Sequence, residues 1–194
     1  EGGSTPFRFD ITPLLKAGAN TVTVRAWDPP EDRAIPRGKQ YWEPKSRSIF
    51  YTRTTGIWQS VWLEAAGGSY LDSLRTDADL DGTVAFHVRV ARPKKELELA
   101  YTIRDGAQVV ATGSSTGVYD YKNLSAAARI GNPKLWQLNR PALYDVTLEL
   151  REGGKVLDRV QTYFGFRKVS VENGRFCLNH RPVYLKFVLD QGYW

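Results

Sequence analysis

Tyr51-Thr52-Arg53-Thr54-Thr55-Gly56-Ile57-Trp58-Gln59-Ser60-Val61-Trp62-Leu63-Glu64 is the stretch on which the fold class turns. From Ile57 onward, bulky apolar residues alternate roughly with polar ones. That composition predicts a β-strand with at least one buried face, closing a domain. Gly56 permits a tight approach or a bulge just ahead of it. Arg53-Thr54-Thr55 is polar and reads as an irregular entry to the strand.

On the N-terminal side, Thr5 to Asp10 reads as a short strand with Phe7 and Phe9 on one face. Asp10 to Lys16 reads as a helical turn, capped by Asp10 or Thr12 and with Pro13 suited to its first position. Gly18 and Asn20 end it. Thr21 to Trp27 alternates strictly, Val22, Val24 and Ala26 facing one way. Asp28 to Phe50 then forms a long segment punctuated by Pro29, Pro30, Pro36 and Pro44. A loop of that length is functional or disordered, and Tyr41, Trp42 and Phe50 argue against disorder.

On the C-terminal side, Gly67-Gly68-Ser69 marks a boundary. Strands are predicted at Tyr70–Leu80, Thr83–Ala91, Glu96–Arg104, Gln108–Ser114, Ala126–Ile130, Tyr144–Arg151 and Val156–Phe164. Asp81-Gly82, Asp105-Gly106 and Gly153-Gly154 separate neighbours. Seven short strands over about 100 residues is the pattern of an immunoglobulin-like sandwich. Beyond it, Asn173-Gly174 predicts a hairpin turn, with strands at Arg175–Leu178 and Val183–Val188.

Three ordered motifs carry a resemblance. Gly3 to Thr12 (GSTPFRFDIT), Arg53 to Glu64 (RTTGIWQSVWLE) and Leu178 to Lys186 (LNHRPVYLK) resemble segments of glycoside hydrolase family 2, the β-galactosidases, β-glucuronidases and β-mannosidases. Asn132-Pro133-Lys134-Leu135-Trp136 with Pro141 to Tyr144, and Tyr163-Phe164-Gly165-Phe166-Arg167, resemble further motifs of the family's second domain. The resemblance implies an all-β chain in three parts. Residues 1–66 would be the C-terminal part of the sugar-binding jelly-roll domain, and 67–168 an immunoglobulin-like β-sandwich. Residues 169–194 would be a hairpin and the first strand of a (β/α)8 catalytic barrel. The missing jelly-roll strands would leave apolar faces of 1–66 uncovered.

The resemblance also implies a parent enzyme that hydrolyses glycosides with retention, using two Glu residues on later barrel strands beyond Trp194. Glu43, Glu64, Glu96, Glu98, Glu149, Glu152 and Glu172 match neither catalytic motif, so no catalytic residue is expected in this chain. Substrate contacts in the full-length enzyme are expected from Asp28, at the end of a strand, and from Arg37, Lys39, Gln40 and Trp42. Arg37-Gly38-Lys39-Gln40 resembles an RGKQ motif seen in part of the family, and Trp42 follows it. Arg, Lys and Gln donate to sugar hydroxyls, and Trp offers a stacking face. The plainer reading is a loop packed on its own domain through Tyr41 and Trp42. Asp190, just after the expected barrel strand, is a further candidate; equally, it would cap the next helix.

Composition excludes other classes. The net charge of +6 is scattered, without the clustered basic element of a nucleic-acid binder. One cysteine, Cys177, forbids a disulfide framework and reads as a buried thiol. The two histidines, His87 and His180, are too far apart in sequence to assemble a metal site, and no cofactor motif occurs. No run approaches the ~20 apolar residues of a membrane span. Asn123-Leu124-Ser125 is a glycosylation sequon. Asp77, Asp79 and Asp81 read as a polar strand end and turn, and His87 as an exposed histidine. With no methionine and an opening Glu1-Gly2-Gly3, the chain is expected to be part of a longer product. Its expected partners are a β-glycoside and its own catalytic barrel, with homo-oligomers allowed. The rival classes are a free-standing carbohydrate-binding module, with Trp42 as a sugar platform, and a pure interaction domain.

Overall fold

The computed structural model describes residues 5–32, 34–35, 38–117 and 122–189. They divide into two units. One runs to Leu63 and includes the residues from Phe187 on; the other is Glu64–Lys186.

The second unit holds β1 (Tyr70–Ala78), β2 (Thr83–Ala91), β3 (Leu97–Asp105), β4 (Gln108–Thr116), β5 (Asn123–Arg129), β6 (Tyr144–Glu152) and β7 (Lys155–Phe164). They form two antiparallel sheets, β1-β2-β5 and β4-β3-β6-β7. β4 joins the larger sheet, whereas the constant-type immunoglobulin domain carries its fourth strand on the other. Strand alternation explains the core. Val84, Phe86, Val88 and Val90 of β2 point inward against Leu97, Leu99 and Ile103 of β3 and Val146, Leu148 and Leu150 of β6, all nearly solvent-free. Phe164 and Phe166 complete it edge-to-face, their centroids 5.2 Å apart.

All seven strands appear close to their predicted bounds. β3 starts at Leu97 rather than Glu96 because Glu96 adopts φ 63°, off the strand region. β5 starts at Asn123 rather than Ala126 because Leu124 already continues the inward alternation. At the entry to β6, the Tyr144 hydroxyl accepts the Lys134 amide at 2.8 Å. This is the tyrosine corner of such sandwiches, tying the β5–β6 crossover down. Across the sandwich, the Tyr101 hydroxyl of β3 donates to the Ala127 carbonyl of β5 at 2.9 Å.

A third sheet follows in the same unit: β8 (Val169–Glu172), β9 (Arg175–Leu178) and β10 (Arg181–Pro182), in the order β10-β9-β8. Asn173 and Gly174 both take positive φ, as a two-residue hairpin requires. Asn179 and His180 do the same, so β10 begins at once and pairs with Leu178 and Cys177. The strand expected at Val183–Val188 forms no ladder. Pro182 can donate nothing onward, and Val183 makes the last bond, to Phe176 O at 3.0 Å. Cys177 is buried, as its apolar flanks predict.

The first unit has no named strand among its described residues. A 3-10 turn spans Thr12–Leu14 with Pro13 inside it. Asp10 Oδ1 accepts the Thr12 amide at 3.0 Å, and Asn20 closes the turn through Lys16 and Gly18. The stretches expected as strands at Thr5–Asp10, Thr21–Trp27 and Ile57–Glu64 form no ladder among the described residues. Phe9, Trp27 and Trp62 are more than 70% exposed. The physical reason is simple: a strand's hydrogen bonds come from its neighbour, and among the described residues none of these stretches is paired in register with another.

Candidate functional site

The described residues of the long segment Asp28–Phe50 are held by contacts within it and with the polar run that follows it. Arg47 and Phe50 exchange two backbone bonds (3.2 and 3.0 Å) around Ser48, which takes positive φ. Ser46 Oγ bonds both the Thr52 amide and its hydroxyl. The Tyr51 amide donates to Lys39 O at 2.8 Å and its carbonyl accepts the Tyr41 amide at 2.7 Å, a parallel bridge opposite Gln40. Tyr41 is buried and stacks on Phe50 at 5.2 Å, with Trp42 tilted against both.

Arg53, Thr54 and Thr55 then reach across in succession. Arg53 Nη1 donates to Trp42 O at 2.8 Å, the Thr54 amide to Gln40 Oε1 at 2.9 Å, and Thr55 Oγ1 to Asp28 Oδ2 at 2.9 Å. Three consecutive residues so hold points 11, 14 and 27 positions back in the chain. The run expected to be a mere entry to a strand is the clamp on the loop.

Of the residues expected to touch substrate, Asp28, Lys39, Gln40 and Trp42 lie in this knot. Asp28 and Gln40, with Tyr41 and Arg53, line one small cleft. Arg37 and Asp190 lie outside the described residues. The cleft measures about 40 Å³, little more than the ~30 Å³ share of one water and far below the ~300 Å³ at which ligand pockets begin. Trp42 meets Tyr41 and Phe50 as the self-packed reading of the loop requires. The knot therefore cannot enclose a sugar by itself; it can present a carboxylate and an amide at a rim.

A second convergence joins the distal motifs. The Trp136 amide donates to Phe166 O at 2.9 Å, and Asn179 Nδ2 donates to Trp136 O at 2.9 Å. Asn179 also exchanges bonds with Lys168, giving its amide to the Lys168 carbonyl and accepting the Lys168 amide on Oδ1. The Arg167 guanidinium sits 5.1 Å from the Trp136 ring centre, a cation–π contact. A side chain at Gly165 would crowd Ala142 O, Leu143 and Trp136. These motif residues build a joint between the sandwich and the third sheet, not a binding surface.

One cluster escaped the sequence reading. On the outer face of β1-β2-β5, His87 lies between Ser125 Oγ (2.9 Å from Nδ1) and Asp77 Oδ2 (3.3 Å from Nε2). The strand register brings His87 opposite both Arg75 and Ser125. Nucleophile, base and acid stand in a row, but the face is a flat sheet whose amides are engaged in ladder bonds, and Asp77 is shared with Arg75 at 2.9 Å. It has no oxyanion donors to offer a tetrahedral intermediate.

Three described carboxylates, Glu149, Asp81 and Glu172, are held below the usual range. Glu149 is held below the usual range by hydrogen bonds from Arg151 and then Arg159. Asp81 is lowered by the amide and hydroxyl of Thr83, and Glu172 by Ser170 and then His180. A general acid in a glycosidase needs the opposite shift. Among the described residues no group of three metal-ligating side chains occurs, and no helix is long and apolar enough to cross a membrane.

Residues 69–167 match the model of the glycosyl hydrolases family 2. The chain is 26% identical over 195 residues to a β-galactosidase of Thermoanaerobacter pseudethanolicus, covering 96% of this chain and 25% of that protein. It is 27% identical over 204 residues to a β-glucuronidase of Paenibacillus borealis, covering 96% and 32%. Among solved structures, the β-glucuronidase of Parabacteroides merdae superposes on 61% of this chain and 16% of its own, with a TM-score of 0.53 at 18% identity. A glycosyl hydrolase family 2 member from Bacteroides cellulosilyticus covers 62% and 17%, with a TM-score of 0.53 at 23% identity. The chain thus spans a quarter to a third of the length of these two curated relatives.

Proposed function

The chain belongs to glycosyl hydrolase family 2, and from that premise we propose that it is a non-catalytic scaffold region of a retaining β-glycosidase. Residues 1–66 are then the end of a sugar-binding jelly-roll, 67–168 the immunoglobulin-like domain and 169–194 the entry to the catalytic barrel. The observation that carries the reading is the seven-strand sandwich over the residues the family model matches. The chemistry agrees. Retaining hydrolysis needs two carboxyl groups about 5–5.5 Å apart, one of them raised in pKa. Glu149, Asp81 and Glu172 are lowered instead, and are tied to Arg, Thr, Ser or His partners.

In the longer enzyme, the Asp28–Trp42 knot lends its polar groups to the rim of the active site. Asp28 accepts from sugar hydroxyls and Gln40 donates to them through its amide nitrogen, with Lys39, Trp42, Arg37 and Asp190 as the further proposed contacts. The proposed substrate class is a β-glycoside, in keeping with the β-galactosidase and the β-glucuronidase that the chain resembles. The test is to express the complete gene product beside the 194-residue chain and assay aryl β-galactosides and β-glucuronides. The longer product should turn one of them over and the short chain none. Turnover by the contaminant-free short chain would overturn the reading. Asp28→Ala in the longer enzyme should lower kcat/KM, and an unchanged value would remove the rim role. Millimolar or tighter sugar binding by the short chain alone would favour a free-standing binding module instead.

A further inference from the structure

We infer that Thr55 is a positioning residue that fixes the Asp28 carboxylate for its contact with sugar; the inference rests on the rim role proposed above for Asp28. Thr55 Oγ1 donates to Asp28 Oδ2 at 2.9 Å, across 27 residues of chain. Both residues are exposed, so the bond is not a by-product of core packing. An exposed aspartate with two free torsions would otherwise sample several rotamers.

Three features make the bond a device rather than an accident. First, Pro29 confines the Asp28 backbone to the extended region, so the side chain starts from a stiff base. Second, Thr55 is β-branched and its χ1 is restricted, which aims the hydroxyl. Third, Thr55 is the last member of the Arg53-Thr54-Thr55 clamp. The Arg53 bond to Trp42 O and the Thr54 bond to Gln40 Oε1 anchor the two residues just before it. The arrangement also spares an acceptor. A carboxylate has about four lone-pair sites, so with Oδ2 engaged, Oδ1 can still accept a sugar hydroxyl.

A hydrogen bond to a charged acceptor is stronger than one between neutral groups, and a tenfold loss in kcat/KM corresponds to about 1.4 kcal/mol. The experiment compares the longer enzyme from the complete gene with its Thr55→Val, Thr55→Ser, Asp28→Ala and Asp28→Ala/Thr55→Val variants, measuring kcat, KM and thermal midpoint. Thr55→Val should lower kcat/KM about tenfold with an unchanged thermal midpoint. Thr55→Ser, which keeps the donor, should stay within about twofold of wild type. The double variant should be no worse than Asp28→Ala, because the hydroxyl acts only through that carboxylate. If Asp28→Ala is impaired while Thr55→Val matches wild type, the positioning role is overturned and the rim role stands. If Asp28→Ala itself matches wild type, the rim role fails and the positioning role with it. A Thr55→Val loss that Thr55→Ser does not restore, or that comes with a lowered midpoint, makes Thr55 structural only and overturns the inference.

Discussion

Thr21-Val22-Thr23-Val24 and Thr83-Val84-Ala85-Phe86 have almost the same alternation, and opposite fates. Val84 and Phe86 are solvent-free in the middle of a three-stranded sheet. Val22 and Val24 are 63% and 52% exposed and belong to no strand. Thr83–Ala91 has Tyr70–Ala78 on one side and Asn123–Arg129 on the other, and a second sheet beneath. Thr21–Trp27 has no ladder partner among the described residues. Strand propensity therefore states what a segment fits, and the neighbour decides whether it is formed.

The sharpest way to break that contrast is to remove a ring from the part that does have neighbours. Phe166 is fully buried and meets Tyr144 and Phe164 edge-on at 5.3 and 5.2 Å. Phe166→Ala should cost about 3–5 kcal/mol, read as a lower denaturant midpoint for the 194-residue chain. A loss below about 1 kcal/mol would mean that the sandwich is not closely packed at its end.

Next comes the tyrosine corner. Tyr144→Phe keeps the ring and deletes the acceptor for the Lys134 amide. Leaving that amide unsatisfied should cost about 1–3 kcal/mol. Complete tolerance would show that water replaces the hydroxyl, and that the β5–β6 crossover is held without it, through bonds such as that from the Trp136 amide to Phe166 O. Tyr144 also shows the limit of reading a sequence. Its inward position follows from alternation, but the partner ten residues upstream does not.

Other parts divide along the same line. The seven strands of the sandwich were legible because each carries a period of two and a turn signal at its end. In the third sheet, the Asn173-Gly174 turn, the strand Arg175–Leu178 and a connection from Asn179 were legible; the return pairing of Arg181 and Pro182 was not, because Asn179 and His180 make a tight positive-φ turn that neither announces as glycine would. The clamp at Arg53-Thr54-Thr55 was opaque. It has no period, and what it does depends on three partners set by chain path rather than spacing. The Ser125–His87–Asp77 row was hidden for the same reason, since strand register alone brings those residues together.

A smaller effect separates the regions electrostatically. Glu149 on the larger sheet titrates low because Arg151 and Arg159 hydrogen-bond it. A carboxylate whose folded pKa lies below its unfolded value stabilises fully above the unfolded value, about 4.3 for glutamate. That contribution fades as pH falls through the folded value. Unfolding midpoints should therefore drop below about pH 4.3, and Glu149→Gln should flatten part of the drop. Equal acid sensitivity in Glu149→Gln would assign the effect to other carboxylates, Asp81 and Glu172 first.

The smallest expected effect is the most telling. Trp62 is 72% exposed, although its sequence asks for a buried strand. In the 194-residue chain, Trp62→Ala should move stability by no more than about 0.5 kcal/mol, as surface substitutions do. In the longer enzyme, where we propose that jelly-roll strands cover this face, the same change should cost about 3–5 kcal/mol, as for a buried aromatic. The difference between the two values reports what neighbouring strands contribute, because the residue and its local sequence are the same in both. A large loss in the short chain would mean that Ile57–Glu64 finds a partner without them. A negligible loss in the longer enzyme would mean that its large aromatics face outward there too, and the covered jelly-roll face would have to be abandoned.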